Sequence, residues 1–366
     1  MKKISCLLFV LVLSSGCRTT HQKSELPAQI EQLVKENLSA YTSPKKTTNI
    51  SLDAVTPQAL YPETAIGNMG QSVLAAPISF ILHRDSLYIV DFKNHHIAVV
   101  SARSSAVSRT IGRNGQGPGE FNQPTSICNN GQYIFVEDRN NGRIQAFSQE
   151  INYVDSLPIA SALQGNAMCN QDFVFVTKQS PDRKFIMQGF EAKPPFRKAI
   201  NILPYLSSEK DKLMGFNQVI AAEVGQNIYA AYRTLPFVFI FNKKGDFLES
   251  LSFQNERMAR VLNDNSNAAA AMLSNNHQPL TMLFGTIGKL EEDTIGISYS
   301  NKLAIIRQKN GKWQMEKMLH LFKDELASKT DVKNFVMIGQ VLINEKNIYV
   351  IPPIAANDPL IYKFKL

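Results

Sequence analysis

Short apolar segments recur along most of the chain, each ending in a polar turn and most followed by a second apolar segment. The first segments lie at 87–91, 133–138, 173–177, 227–231, 293–297 and 347–351. The second segments lie at 97–100, 144–147, 238–241, 303–306 and 360–364. Successive copies are 40 to 68 residues apart, roughly one propeller blade. The pattern predicts an all-β chain folded as a six-bladed β-propeller around a central channel.

The joints between the predicted blades carry a second pattern. A strand end, a Gly-rich turn and a Pro occur at 66–77 and again at 111–124. Gly permits the left-handed backbone of a tight turn, and Pro sets the start of the next strand. Residues 63–67 are therefore predicted to supply the outermost strand of the last blade, which closes the ring and covers an open sheet edge.

Residues 254–280 interrupt the repeat. They contain helix-forming residues and four consecutive Ala, and they end at Pro279, which predicts one or two short helices inserted between blades. Long insertions on a rigid scaffold often carry function. The alternative is a decoration that packs over one end of the channel.

The N-terminus has the layout of an export signal. Lys2 and Lys3 precede the apolar stretch 4–13, and Ser14-Ser15-Gly16-Cys17 follows. This end resembles a lipobox, so residues 1–16 are predicted to be a lipoprotein signal peptide and Cys17 to be lipidated. The alternative is an ordinary secretory signal with an incidental Cys. Residues 17–48 are predicted to be a tether, in which 25–40 could form a short helix, and 49–366 the propeller.

The residue after Cys17 bears on the destination of the protein. Arg18 stands there instead of Asp, which resembles lipoproteins passed to the outer membrane. The expected location is the outer membrane, with periplasmic and surface display both open. A lipid anchor would hold the protein on the membrane, because several acyl chains anchor it firmly.

Two cysteines remain inside the predicted propeller. Cys128 and Cys169 each precede an aromatic strand centre by six or seven residues, so they hold matching places in neighbouring repeats. An exported compartment permits a disulfide between them. Two buried thiols that act as small apolar residues are the alternative.

The stretch IGRNGQGPGEFNQP followed by YIFVEDRNNGRIQAF, at 111–147, resembles the NHL repeat. The match includes Gly115, Gly117, Gly119, Phe121 and Pro124 in the turn, and Asp138, Asn141, Arg143, Ile144 and Phe147 after it. The preceding repeat keeps Asp91, Asn94 and Ile97 but has His96 in place of Arg. The resemblance implies an NHL/TolB-like six-bladed propeller lipoprotein of the Gram-negative envelope.

The turn residues of this motif are expected to be structural. Asp91, Asn94, Asp138 and Asn141 would cap hairpin turns through local hydrogen bonds, and Arg143 would pair with Asp138. The Gly-rich run 115–119 is not interpreted as a nucleotide site, because Pro124 and a strand follow it where that motif requires a helix.

The sequence contains few groups suited to metal or nucleophilic chemistry. The six His form no His-x-x-x-His or similar ligand pair on one element, and the predicted inner strands contain almost no carboxylates. A hard cation needs several oxygen ligands. No Gly-x-Ser-x-Gly elbow occurs. No metal, no cofactor and no catalytic residue is therefore expected.

The 39 basic and 31 acidic residues give a formal charge of +8, spread along the chain. Nucleic acid is not an expected partner for an exported lipoprotein. A basic rim could instead meet anionic lipid, an acidic glycan or an acidic protein surface.

The favoured function is a non-enzymatic binding or scaffolding module for a protein, peptide or glycan. Candidate contacts are large polar or aromatic residues at predicted strand ends: Lys93, His95, Arg113, Arg139, Tyr232, Arg233 and Tyr299. One alternative is an NHL-like propeller enzyme, a metal-dependent lyase or lactonase. Another is a structural accessory subunit of an envelope or uptake complex.

Overall fold

The computed structural model describes residues 26–66, 74–103, 106–159, 168–177, 184–207, 212–276, 278–322, 341–344, 347–351 and 361–366. The signal peptide, Cys17 and the first part of the predicted tether lie outside these residues. The described strands form six sheets arranged as the six-bladed β-propeller that the sequence predicts.

The N-terminal elements precede the first blade. They are α1 (Ala28–Leu38), β1 (Thr47–Ser51), β2 (Gln58–Leu60) and β3 (Thr64–Ile66). Blade 1 contains β4 (Pro77–His83), β5 (Ser86–Asp91), β6 (His96–Ser101) and β7 (Val107–Ile111). Blade 2 contains β8 (Pro124–Asn129), β9 (Ile134–Asp138), β10 (Arg143–Phe147) and β11 (Tyr153–Pro158). Blade 3 contains β12 (Met168–Cys169), β13 (Phe173–Thr177), β14 (Phe185–Glu191) and β15 (Lys198–Pro204).

The second half of the ring includes the helical insertion. Blade 4 contains β16 (Val219–Val224), β17 (Asn227–Tyr232), β18 (Phe237–Asn242) and β19 (Phe247–Gln254), and α2 (Glu256–Leu273) follows it. Blade 5 contains β20 (Phe284–Glu291), β21 (Thr294–Tyr299), β22 (Lys302–Lys309) and β23 (Lys312–Leu321). Blade 6 contains β24 (Val341–Asn344), β25 (Asn347–Val350) and β26 (Ile361–Lys365), and β3 is its fourth strand. Single turns of 3-10 helix lie at Arg139–Asn141 and Met214–Asn217.

The four strands of blades 1 to 5 run in chain order and antiparallel, so the connections alternate between the two ends of the ring. In blade 6 the antiparallel fourth place is taken by β3. First strands of successive blades contact one another from β4 to β24 and line the channel. Large apolar clusters fill the spaces between blades. In blades 1 and 2, for example, Tyr88, Val90, Ile127 and Val136 share one cluster.

The N-terminal strand closes the ring. In β3, Ile66 pairs with Ile361 and Thr64 with Lys363, both in β26. The last blade is therefore completed by the start of the propeller sequence, as predicted. The helical insertion is also confirmed, since α2 occupies most of residues 254–280.

The segment before this strand contacts the outside of two more blades. β1 pairs in parallel with β19, which makes blade 4 five-stranded. β2 pairs in parallel with β23 of blade 5. Residues 47–66 thus follow the outer edges of blades 4, 5 and 6 in succession.

The predicted tether differs from the structure within the part that is described. α1 is the helix that the spacing of its apolar residues indicates, but it packs against α2 and blade 4. Ile30 and Leu38 have no solvent exposure, and Leu33 has 3%. Residues 26–48 therefore belong to the folded body, because an amphipathic helix next to an apolar surface is buried rather than extended. The predicted boundary at residue 49 falls inside packed structure.

Candidate functional site

One end of the ring, here called the linker face, carries the connections from blade to blade and the hairpin between the second and third strands of each blade. The opposite face carries the connections between the first and second strands and, in blades 1 to 5, those between the third and fourth strands. The predicted contact residues all fall on the linker face, in or beside these connections: Lys93, His95, Arg113, Arg139, Tyr232, Arg233 and Tyr299. The alternation of an up-and-down sheet brings them to one end, although they come from four blades.

Two of these residues are core residues and not surface contacts. Tyr232 is fully buried, its hydroxyl donates to the carbonyl of Pro204, and its ring packs edge-on against Phe239. Tyr299 is 2% exposed and donates to Asn255 Oδ1 at 3.0 Å. Burial raises the pKa of Tyr232 well above its ordinary value and that of Tyr299 to about 12. The position of a tyrosine at a strand end does not by itself show whether its ring faces solvent or the packed side of the sheet.

His95 is also engaged within the fold. Its Nδ1 accepts a hydrogen bond from the backbone N–H of Gln123 at 2.9 Å, which ties the blade 1 hairpin to the connection entering blade 2. Lys93 in the same hairpin is exposed. In the blade 1 hairpin, Lys93 is therefore exposed to solvent, while His95 positions the connection that enters blade 2.

The blade 2 turn is organised by a buried carboxylate. Asp138, with no solvent exposure, accepts from Asn122 N–H at 2.7 Å, Asn141 Nδ2 at 2.8 Å and Arg143 Nε at 2.9 Å. Gln145 Nε2 donates to it at 3.1 Å. One carboxylate thus joins the hairpin to the incoming connection, and its charge is neutralised by the guanidinium.

Blade 1 repeats the same arrangement 47 residues earlier in the sequence. Asp91 accepts from the N–H groups of Ala75 and Ala76 at 2.7 and 3.0 Å, and from Asn94 Nδ2 at 2.9 Å. His96 replaces the arginine, with Nε2 4.0 Å from Asp91. Burial lowers the pKa of His96, while Asp91 opposes that shift. Asp91 is therefore held by N–H donors, with a weaker charge partner than Asp138.

The Gly-rich connection into blade 2 has its own internal bonds. Glu120 accepts from Gly117 N–H at 3.0 Å and from Arg113 Nε at 2.8 Å, and these bonds lower the pKa of Glu120. Gly112 has φ +82°, and a Cβ there would clash with the Phe121 ring, so only Gly fits. Arg113 is 82% exposed and reaches solvent beside its carboxylate partner.

The hairpins between second and third strands share a charge pattern in the four blades where they are described. We call residues 92–95, 139–142, 233–236 and 300–302 the basic hairpins. Each contains one Lys or Arg and no Asp or Glu: Lys93, Arg139, Arg233 and Lys302. Lys302 was not among the predicted contacts. The signal that could have found it is the basic residue recurring just after the second strand.

The opposite face contains residues of both signs, and several of its described cations are paired with carboxylates. Arg84 lies 3.1 Å from Glu150, and Lys243 lies 3.1 Å from Glu223. Arg307 contacts Glu291 and Glu316 at 2.8 Å each. Lys93, Arg233 and Lys302 form no ion pair with another described residue. Among the described residues, three of the four basic hairpins therefore present a cation that no carboxylate neutralises.

The two cysteines of the predicted propeller come together. Cys128 in β8 and Cys169 in β12 form a disulfide, with their Cα atoms 5.8 Å apart. These are the inner strands of blades 2 and 3, so the bond lies at the channel wall on their seam.

The described residues include no group of three or more His, Cys, Asp or Glu placed to hold a metal ion. A cavity of about 390 Å³ lies between α1, β1 and the start of α2, with Val34, Phe253 and Met258 in its lining. None of the helices in the described ranges combines the length and apolarity that a membrane span requires.

The sequence matches no known family profile and no curated protein. Among solved structures, a putative exported protein from Bacteroides fragilis is similar at a TM-score of 0.50 and 13% identity, over 84% of this chain and 99% of that one. U3-55K is similar at 0.51 and 9% identity, over 83% of this chain and 100% of that one. A catalytically inactive virginiamycin B lyase from Staphylococcus aureus is similar at a TM-score of 0.49 and 9% identity, over 81% of this chain and 82% of that one. At these identities the likeness concerns the propeller fold alone.

Proposed function

We propose that this chain is an NHL/TolB-like lipoprotein of the outer membrane, anchored through Cys17, whose propeller binds a partner without catalysis. The partner is a protein, peptide or glycan that presents acidic groups to the linker face. The export signal and the Ser-Ser-Gly-Cys sequence support the anchor. The NHL-like turn at 111–147 supports the family.

The observation that carries the binding role is the sign of the charge in the basic hairpins. Four hairpins from different blades each bring a cation to the same end of the ring, with no acidic residue among them. Such a one-sign surface attracts an oppositely charged partner and disfavours others. On the opposite face several cations are paired with carboxylates, so the attraction for an acidic partner is weaker there.

The turns that present these cations are rigid, which favours binding. Asp91 and Asp138 each fix a hairpin and the adjoining connection through several hydrogen bonds. A partner that binds preorganised turns does not have to order them, so less of the interaction free energy is lost.

Charge reversal on the two faces tests this function. The variant Lys93→Glu with Lys302→Glu acts on the linker face, and Lys193→Glu with Lys244→Glu is the matched control on the opposite face. Full-length protein in detergent captures partners from envelope extract, which are identified by mass spectrometry. We expect the linker-face variant to capture at least about tenfold less partner than the wild type does. The amount that the wild type captures should fall as the salt concentration is raised. Equal capture by both variants would contradict the proposal.

Elemental analysis separates this function from the enzyme alternative. The full chain is purified without chelator and its divalent metal content is measured. A metal-dependent lyase or lactonase requires a stoichiometric metal, and finding one would replace the binding role with the enzymatic one.

A further inference from the structure

Arg233 differs from the other basic hairpin residues because it is built into the seam between blades 4 and 5. Its N–H donates to Gln218 O at 2.8 Å, just before the inner strand of blade 4. Its carbonyl accepts from Leu283 and Phe284 N–H at 2.6 and 3.1 Å, at the start of the inner strand of blade 5. Three backbone hydrogen bonds therefore fix Arg233 between two inner strands at the channel mouth.

The side chain is held in the same rigid way. Nη2 donates to Gly285 O at 2.9 Å, and Nη1 lies 3.3 Å from the sulfur of Met282. The sulfur is a weak acceptor and the carbonyl is neutral, so neither supplies a counter-charge. Burial lowers the pKa of this guanidinium.

Among the described residues, no carboxylate forms an ion pair with Arg233. Removing a charge from water is unfavourable unless an opposite charge or strong hydrogen bonds compensate for it. A guanidinium has five N–H groups, and the two contacts above use only two of them. The other three N–H groups have no acceptor among the described residues, and guanidinium N–H groups are suited to binding the oxygens of an oxyanion.

We propose that Arg233 is the anchor of an oxyanion-binding site at the channel mouth on the linker face, which takes a carboxylate or phosphate group of the bound partner. This proposal rests on the proposed function and adds the chemical group that is recognised. Lys93 and Lys302 attract the acidic partner over a distance, and Arg233 binds one of its anionic groups directly.

Anion-dependent stability of the full-length protein tests the site. Inorganic phosphate and acetate are the probes, each compared with sodium chloride at equal ionic strength. The single Trp, Trp313, reports unfolding because it is buried against Tyr229 across the seam between blades 4 and 5. We expect at least one probe to raise the Tm of the wild type by a few degrees, since a ligand bound only by the folded state stabilises it. The stronger probe identifies the anionic group.

Two variants and a control make the test specific. Arg233→Met should abolish the shift, and Arg233→Lys should weaken probe binding about tenfold, because an ammonium lacks the planar fork. The control Arg197→Met, at an exposed position on the opposite face, should retain the full shift. If Arg233→Met does not fold, calorimetric titration of phosphate and acetate into Arg233→Lys and wild type gives the same comparison.

Two results would overturn the site: equal stabilisation of Arg233→Met and wild type, or no stabilisation beyond sodium chloride in the wild type. These results are distinguishable from failure of the proposed function. If capture of the partner depends on Lys93 and Lys302 but the anions do not stabilise the protein through Arg233, the binding function is supported and the Arg233 site is contradicted. If the anions stabilise the protein through Arg233 but no partner is captured, the Arg233 site is supported and the proposed binding of a macromolecular partner is contradicted.

Discussion

Asp91 and Asp138 show how one residue type determines the shape of the linker face. Each carboxylate is fully buried and accepts hydrogen bonds from both the hairpin after it and the connection before its blade. A buried carboxylate without such donors would strongly destabilise the fold. The motif residues that resemble a family signature therefore act through structure, by holding the turns that carry Lys93 and Arg139.

Replacing Asp138 by Ala tests this role. The substitution leaves the Arg143 guanidinium and three further donors without their acceptor, so we expect a loss of about 3–5 kcal/mol in the free energy of unfolding. Urea denaturation measures it. The control Glu150→Ala removes an exposed pair with Arg84 and should have little effect. A similarly small effect at Asp138 would contradict the structural role.

His320 predicts a dependence of stability on pH. Burial lowers the pKa of His320 below 6.5, and Lys302 and Arg257 lower it further. As the pH falls through about 6.5 the unfolded chain takes up this proton before the folded one, so stability decreases until the folded-state pKa is passed. The lowered pKa of His96 acts in the same direction.

Urea unfolding of His320→Gln and wild type between pH 5 and 8 checks this expectation. We expect a shallower loss of stability on acidification in the variant, and no difference in slope near pH 8, where the imidazole is neutral in both states. Identical profiles across the range would show that His320 titrates alike in both states.

At the scale of elements, the N-terminal segment is part of the propeller's exterior. α1 covers the apolar side of α2, while β1 and β2 cover the outer edges of blades 4 and 5. Open sheet edges favour unwanted pairing with other chains. The same segment that leads from the predicted anchor therefore protects two edges and one helix face.

Truncating a buried residue of α1 measures how strongly this segment is docked. Ile30→Ala should lower the free energy of unfolding by about 2–5 kcal/mol, because the side chain is fully buried. The exposed Gln32→Ala is the control and should change little. If Ile30→Ala lowered the free energy of unfolding as little as Gln32→Ala does, α1 would behave as the loosely attached tether that the sequence suggests.

The disulfide joins two blades, and its removal has a defined cost. Cys128 and Cys169 are 41 residues apart, so the bond restricts a long loop in the unfolded chain. We expect the double variant Cys128→Ala with Cys169→Ala to unfold at lower urea, with a loss of about 2–4 kcal/mol. Reductant should destabilise the wild type and leave the variant unchanged. A variant as stable as the oxidised wild type would contradict a stabilising bond.

At the scale of the whole molecule, closure by β3 makes the first and last parts of the propeller depend on each other. Ile66 is 1% exposed and packs with residues of blades 1 and 6, such as Phe80 and Ile361. Because the ring is closed there, weakening this seam exposes inter-blade surface that is otherwise buried.

Ile66→Ala tests whether the ring unfolds as one unit. Circular dichroism reports all blades, whereas Trp313 fluorescence reports blade 5. We expect both transitions to shift together to lower urea, by about 2–5 kcal/mol in free energy. The exposed Thr64→Ala should shift neither. A shift in circular dichroism with unchanged fluorescence would show that blade 5 unfolds independently.

The sequence by itself determined the blade number, the closing strand and the helical insertion. These follow from local patterns, since alternating strands and turns fix which connections meet. Tertiary packing alone decided that Tyr232 and Tyr299 are buried, that α1 is docked and that Arg233 lies between two inner strands. The physical reason is that burial depends on surfaces brought together from distant parts of the chain, which no local pattern records.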